Sequence, residues 1–357
     1  MPIGRLFTMP LKQPSLICDR RSALLGLLSV AVAPQALADV IESKVFEGSR
    51  QPGALKGEGG EGLRARSGQE IIDCQFRALG NGAVRIDRPT DRLRIDSCEA
   101  QDLYRFLENT AATGRDDASL HDFVVTGVVA RGLARGFSRV RYASKAGLFE
   151  DIIAEGAART ANYCVGFALD DAASDITYRR CVARDFRETE RADESYWNGD
   201  GFSDERGNKG IRYIQCVASG CSDGGFDTKS QDVSLERCVA QDNKRNFRLW
   251  NSGALKACRS TNPKRYGGSG APAHIALMGD APRYVIEDLV VTAQPDNASP
   301  VFYCETKRPA IIEIRNARID APAAALIKAV GPKPSLRWVG GRASHAVHVV
   351  AEESPNQ

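Results

Sequence analysis

The chain has 357 residues, 43% hydrophobic and 26% charged, with a formal net charge of +3. So small a net charge argues against a basic face for nucleic acid. Beyond residue 38 no run approaches the roughly 20 apolar residues that span a bilayer, so no membrane span is expected in the mature protein.

The first element is a leader. Asp19-Arg20-Arg21-Ser22 precedes an apolar run to Ala33 and the small-x-small triplet Ala36-Leu37-Ala38. This pattern predicts an export signal over 1–38, of the twin-arginine type given its paired arginines, cleaved after Ala38. Its removal takes away four basic residues and one acid, which leaves a mature chain of zero formal charge. A periplasmic or secreted monomer is expected. Of ten cysteines Cys18 departs with the leader, and no remaining pair has the Cys-x-x-Cys spacing of zinc sites. Cys181, Cys216 and Cys238 share the context x-Cys-Val-Ala and are expected as small buried hydrophobes.

Residues 39–69 are rich in Gly, Glu and Arg and read as a cap or lead-in. Short β-branched runs begin at Ile71 and recur through Val84–Ile86, Leu93–Cys98, Phe123–Val129, Phe137–Tyr142, Gly147–Ile153 and Ile176–Cys181, separated by Gly, Asp and Asn. Residues 103–120 read as a loop or short helix. Between Phe167 and Phe202 the interval lengthens to 35, and the extra residues, 187–199, read as a loop that carries Tyr196 and Trp197. A second loop is expected over 260–273. Strand-like runs then continue from His274 to Trp338, and 346–357 reads as a polar tail.

The centre of this series is the most regular part. Phe202, Phe226 and Phe247 are 24 and 21 residues apart, and Cys216 and Cys238 are 22 apart. A period near 22 with short alternating strands predicts a solenoid over 70–345, an all-β, right-handed parallel β-helix in which matching residues stack about 4.8 Å apart. With the phenylalanines inside, strand alternation sends Ser203, Asp227 and Arg248 into one outward column. Glu205, Lys229 and Trp250 form a second, and Asp200 and Asp223 enter the same face just ahead of their strands. Each aspartate alone is ordinary turn chemistry at a coil corner. Their recurrence on neighbouring rungs marks a candidate site, with Trp197, Tyr196, Trp250 and Glu205 as candidate substrate-binding residues.

Asn-Gly-Asp200-Gly-Phe, Ser-Asp223-Gly-Gly-Phe-Asp227 and Asn-Phe-Arg248-Leu resemble the active-site rungs of parallel β-helix polysaccharide lyases, above all the family-nine pectate lyases. The likeness covers about 50 residues. It implies calcium held by Asp200, Asp223 and Asp227, and a base at Arg248 that removes the C5 proton of an acidic polysaccharide in a β-elimination. The chain departs from the family at Gly224, where a second aspartate is the rule, and at Arg248, where lysine is. Calcium takes 6 to 8 oxygen ligands, to which backbone carbonyls and water would contribute beside the three aspartates. Arginine is a poor base, so Lys229 is the other candidate, against a plain ion pair with Glu205. Two further functions share the fold. One is an inverting hydrolase of the polygalacturonase kind, whose Gly-His-Gly and Arg-Ile-Lys triplets are missing here. The other is a non-catalytic β-helix that binds polysaccharide.

Overall fold

The computed structural model describes residues 39–343 and the strand Val349–Glu352. The expected export leader and the remainder of the expected polar tail lie outside the described residues. Among the described residues there is no helix, and the chain winds as a parallel β-helix of about 11 turns.

Two tight corners define each turn. Asp73, Ser97, Asp151, Arg180, Gln215, Arg237, Ala257 and Asp288 all adopt φ between +51° and +55°, the left-handed region that reverses the side-chain alternation. The residue after each corner therefore points inward, and in six of these eight turns it is a cysteine: Cys74, Cys98, Cys181, Cys216, Cys238 or Cys258. A thiol is compact enough for the corner and finds a weak acceptor on the rung before it. Cys238 Sγ lies 3.3 Å from Tyr213 O and Cys258 Sγ lies 3.4 Å from Leu235 O. All nine described cysteines are buried and unbridged.

The third side is a 12-stranded parallel sheet. Its register places Phe167, Phe202, Phe226 and Phe247 in one interior column. Ring centroids follow one another at 4.8, 4.9 and 5.4 Å, with the ring planes nearly parallel. The repeat forces rings to stack at the strand spacing, and each buried pair adds about 1 kcal/mol beyond its area. A second stack, Phe149, Tyr178 and Tyr213, meets the first edge-on.

The coil extends beyond the span expected from the periodicity. Asp39–Glu42 pairs with Gln69–Ile72, and Val45–Glu47 with Gln75–Arg77, so the lead-in supplies strands of a first turn. At the other end Val349–Glu352 pairs with Ile327–Val330. Within 103–120, Arg105–Asn109 is a strand of the 12-stranded sheet, and Phe106 stacks on Phe137. Its polar Arg105, Glu108 and Asn109 hid that strand from the hydrophobic pattern.

Candidate active site

The site lies on the outer face of the 12-stranded sheet, over strands Asp200–Asp204, Gly224–Thr228 and Arg245–Leu249. Pairing sets Ser203 beside Asp227 and Asp227 beside Arg248, the expected column. The column faces outward but is not open. Asp227 is fully buried and Arg248 is 8% exposed, because two loops and two aromatic rings cover them. Loop 187–199 folds onto the face and is bonded to loop 262–272 through Ser269 N–H and Ser195 O, 2.9 Å. Tyr196 and Trp250 flank the Arg248 guanidinium, with ring centroids 5.5 and 4.8 Å away.

Charges alternate across this face. Asp227 accepts from Trp250 Nε1 at 2.7 Å and faces Arg248 Nη1 at 3.3 Å and Lys229 Nζ at 3.2 Å. Burial alone would raise its carboxyl, but Arg248 and Lys229 outweigh that and hold it below its usual value. Asp223 accepts from Arg248 Nη1 at 3.0 Å and from the Tyr196 hydroxyl, and faces Lys244 Nζ at 3.3 Å. Lys229 also pairs with Glu205. Burial works against the Lys229 ammonium, yet Asp227 and Glu205 raise its pKa, and Asp227 and Asp223 raise that of Arg248 in the same way. Neither cation is disposed to give up a proton.

Asp200 differs. Its Oδ1 accepts Gly224 N–H at 2.7 Å, and among the described residues no cation lies within ion-pair distance of it. Burial, reinforced by Asp227 and Asp223, pushes its carboxyl well above the ordinary range. Gly224, the departure from the pectate-lyase pattern, has a steric reason. A Cβ there would lie 2.9 Å from Asp200 Oδ1 and 3.0 Å from Asp227 Cβ, so a second aspartate would have to push both of these side chains aside.

Two cations of the site were not anticipated. Lys244 is fully buried, and its ammonium donates to Trp197 O and Ser269 O, each at 3.2 Å, beside Asp223 and 4.1 Å over the Tyr196 ring. It ties both loops to the sheet. Burial lowers its pKa. Arg245 donates to the Tyr196 hydroxyl at 3.3 Å. The signal was in the repeat, since Lys244 and Arg245 precede Phe247 as Asp223 and Gly224 precede Phe226. Extending the columns by one rung would have found them.

The expected site residues are thus brought together, with one exception. The Trp197 indole packs against Gly267 and Gly268 and donates to Ala192 O at 3.1 Å, propping the two loops apart from the charged cluster. The carboxylates do not fit calcium as arranged. Both oxygens of Asp223 and of Asp227 face Lys, Arg, Tyr or Trp donors, and among the described residues no group of three His, Cys, Asp or Glu is disposed to hold a metal ion.

A buried carboxylate and guanidinium stacked on adjacent rungs of a β-helix, beneath aromatic loops, is a geometry to compare with known proteins. The coil is similar to those of two epimerase modules. The mannuronan C-5 epimerase AlgE4 A-module of Azotobacter vinelandii matches with a TM-score of 0.53 at 11% identity, over 85% of this chain and 91% of that one. The AlgE6 A-module of the same organism matches at 0.50 and 11%, over 90% and 92%. Pectate lyase Pel9A matches at 0.41 and 13%, over 73% and 70%. No protein-family profile and no curated sequence matches the chain. At such identities the likeness is one of fold.

Proposed function

We propose that this protein is an exported polysaccharide lyase that acts on uronic-acid units at the Tyr196–Asp223–Asp227–Arg248 cluster. The observation that carries the reading is the Arg248 guanidinium. Nη1 alone bridges Asp223 and Asp227, while Nε is buried without a partner, so the rest of the fork is left for a planar anion. A substrate carboxylate held there is neutralised, which acidifies the adjacent C5–H. In this role Arg248 and Lys229 act as fixed cations rather than as bases, in keeping with the ion pairs that hold their protons.

The base is then Tyr196, whose own proton is held by burial and by Asp223 and which therefore acts by relay rather than as a resting phenolate. As its oxygen takes the C5 proton, its own proton moves along the existing hydrogen bond to Asp223, and the C5 electron pair forms the C4–C5 double bond. The departing O4 takes a proton from Tyr196, and Asp223 returns the proton it received to the Tyr196 oxygen, so that the C5 proton is in effect transferred to O4 and both residues end as they began. The same residue serves in turn as base and acid, and Arg245 at 3.3 Å favours the oxygen while it carries charge. Calcium belongs to the reading only as an ion that would have to displace Lys229, Lys244 or Arg248 from the aspartates, and no step depends on it. The motif likeness to family-nine pectate lyases over 198–250 is the sequence side of the same proposal.

A second reading has support in the overall similarity to mannuronan C-5 epimerase modules. Removal of the C5 proton is common to both reactions, and an epimerase returns a proton to C5 instead of expelling O4. The test is incubation with polymannuronate, polyguluronate and polygalacturonate, with and without a chelator. Ultraviolet absorbance reports unsaturated ends, and proton NMR in deuterium oxide reports exchange at C5. Absorbance that grows despite the chelator is expected. Exchange without absorbance favours the epimerase, and saturated products or none overturn the proposal. Mass spectrometry of the mature form, expected to begin at Asp39, tests the export reading.

A further inference from the structure

The second outward column does not stop at Trp250. The rungs that follow continue it through Met278, Glu305 and Val330. These residues line a cavity of about 620 Å³ beside the charged cluster, within the range of pockets that enclose a small ligand. Trp250 is shared between the two, since its indole donates to Asp227 and also walls the cavity. Met278 supplies a second apolar surface.

The cavity's acids are drawn toward cations outside it. Four ionisable side chains line it: Arg206, Asp280, Glu305 and Lys307. Both acids lean on cations outside the lining. Asp280 is bound by Arg308 at 2.9 and 2.7 Å, and Glu305 faces Arg245 at 4.0 Å. Arg206 lies 5.1 Å over the Trp250 ring and makes no ion pair within 4 Å among the described residues, while Lys307 acts at longer range on Asp280, the carboxylate that Arg308 binds directly. On this amphipathic wall Arg206 thus lacks a counter-charge in contact and Lys307 shares Asp280 with Arg308, so both cations are available to an anion, near the guanidinium of Arg248.

On the reading given under Proposed function, we infer that this cavity is a second anionic subsite. It takes the sugar unit next to the one held at Arg248, with its carboxylate between Arg206 and Lys307 and its ring over Trp250 and Met278. The ligand class is a run of at least two consecutive uronate units, not an isolated uronate within a neutral chain. Glu305, tied to Arg245, and Trp250, tied to Asp227, connect the two subsites.

The test uses the full chain with Arg206→Ala and Lys307→Ala combined. Both side chains are on the surface, so the fold is retained. Calorimetry with oligomannuronate and oligogalacturonate, and KM on the corresponding polymers, are compared with wild type, with a monomeric uronate as control. The double variant is expected to bind oligouronate about tenfold more weakly and to show a similar rise in KM, with kcat and monomer binding unchanged. An unchanged oligouronate affinity overturns the inference. If wild type turns over polyuronate and the double variant keeps its KM, the subsite falls and the catalytic reading stands. If the double variant loses affinity but wild type shows no turnover, the subsite stands and the catalytic reading falls. A wild type that binds no oligouronate refutes both.

Discussion

Asp200→Asn is expected to stabilise the protein at neutral pH. Asp200 is buried without a cation in contact, between Asp223 and Asp227, and its one hydrogen bond, from Gly224 N–H, is one an amide oxygen accepts equally well. An ionised carboxylate placed so costs several kcal/mol unless it takes up a proton. The substitution removes that cost and introduces an amide NH₂ group with no waiting acceptor, a loss of about 1 kcal/mol. The net gain is about 1–2 kcal/mol, or a few degrees in the unfolding midpoint. The pH dependence has a definite sign. A carboxyl raised in the folded state favours folding below its unfolded pKa of about 4, and that contribution is lost as pH rises through the folded value. Wild type therefore suffers the penalty at pH 8 and not below pH 4, and the variant's advantage shrinks to nothing on acidification. Thermal and urea unfolding at both pH values, with and without added calcium, measure this. A variant less stable than wild type at pH 8 refutes the reasoning, because the charge at Asp200 would then be holding a cation.

Phe226→Ala opens the middle of the ring stack and is expected to cost about 3–5 kcal/mol in urea unfolding. Lys244→Met removes the ammonium that joins Trp197 O and Ser269 O to Asp223, so about 3 kcal/mol is lost and limited proteolysis cuts loops 187–199 and 262–272 sooner; unchanged cleavage would disprove the clamp. Tyr196→Phe keeps the aromatic cover and removes the proton carrier, and turnover is expected to fall at least 100-fold with little change in KM. At pH 8 Cys98, Cys164 and Cys304 of the folded chain are expected to resist thiol reagents, since burial pushes each of them up to about 12, whereas they react in denaturant.

The coil was legible because its repeat writes the same inward residue every 22 or so positions, and Phe202, Phe226, Phe247 and the cysteines sit where that period places them. Arg105–Asn109 was not legible, since a strand whose outer face carries ion pairs looks like a loop to any hydrophobic pattern. At the site, alternation placed Asp227 and Arg248 side by side but said nothing of what covers them, because loop conformation follows from tertiary bonds such as Ser269 to Ser195. Lys244 went unseen for a related reason. A lysine beside a turn is ordinarily solvated, and only its stacking over Asp223 brings it inside. The calcium expectation came from three aspartates considered without the cations that lie against two of them, Asp223 and Asp227.

Each turn of the coil bonds almost entirely to the turn above and the turn below, so the molecule behaves as a line of coupled units rather than as one lump. The charged cluster spans turns with several others on either side. Fraying from either end must therefore consume whole flanking turns before it reaches Asp227 and Arg248. Length here serves as insulation for the centre: the terminal turns are expendable, and the turns that carry the charged cluster inherit rigidity from neighbours that lie outside it.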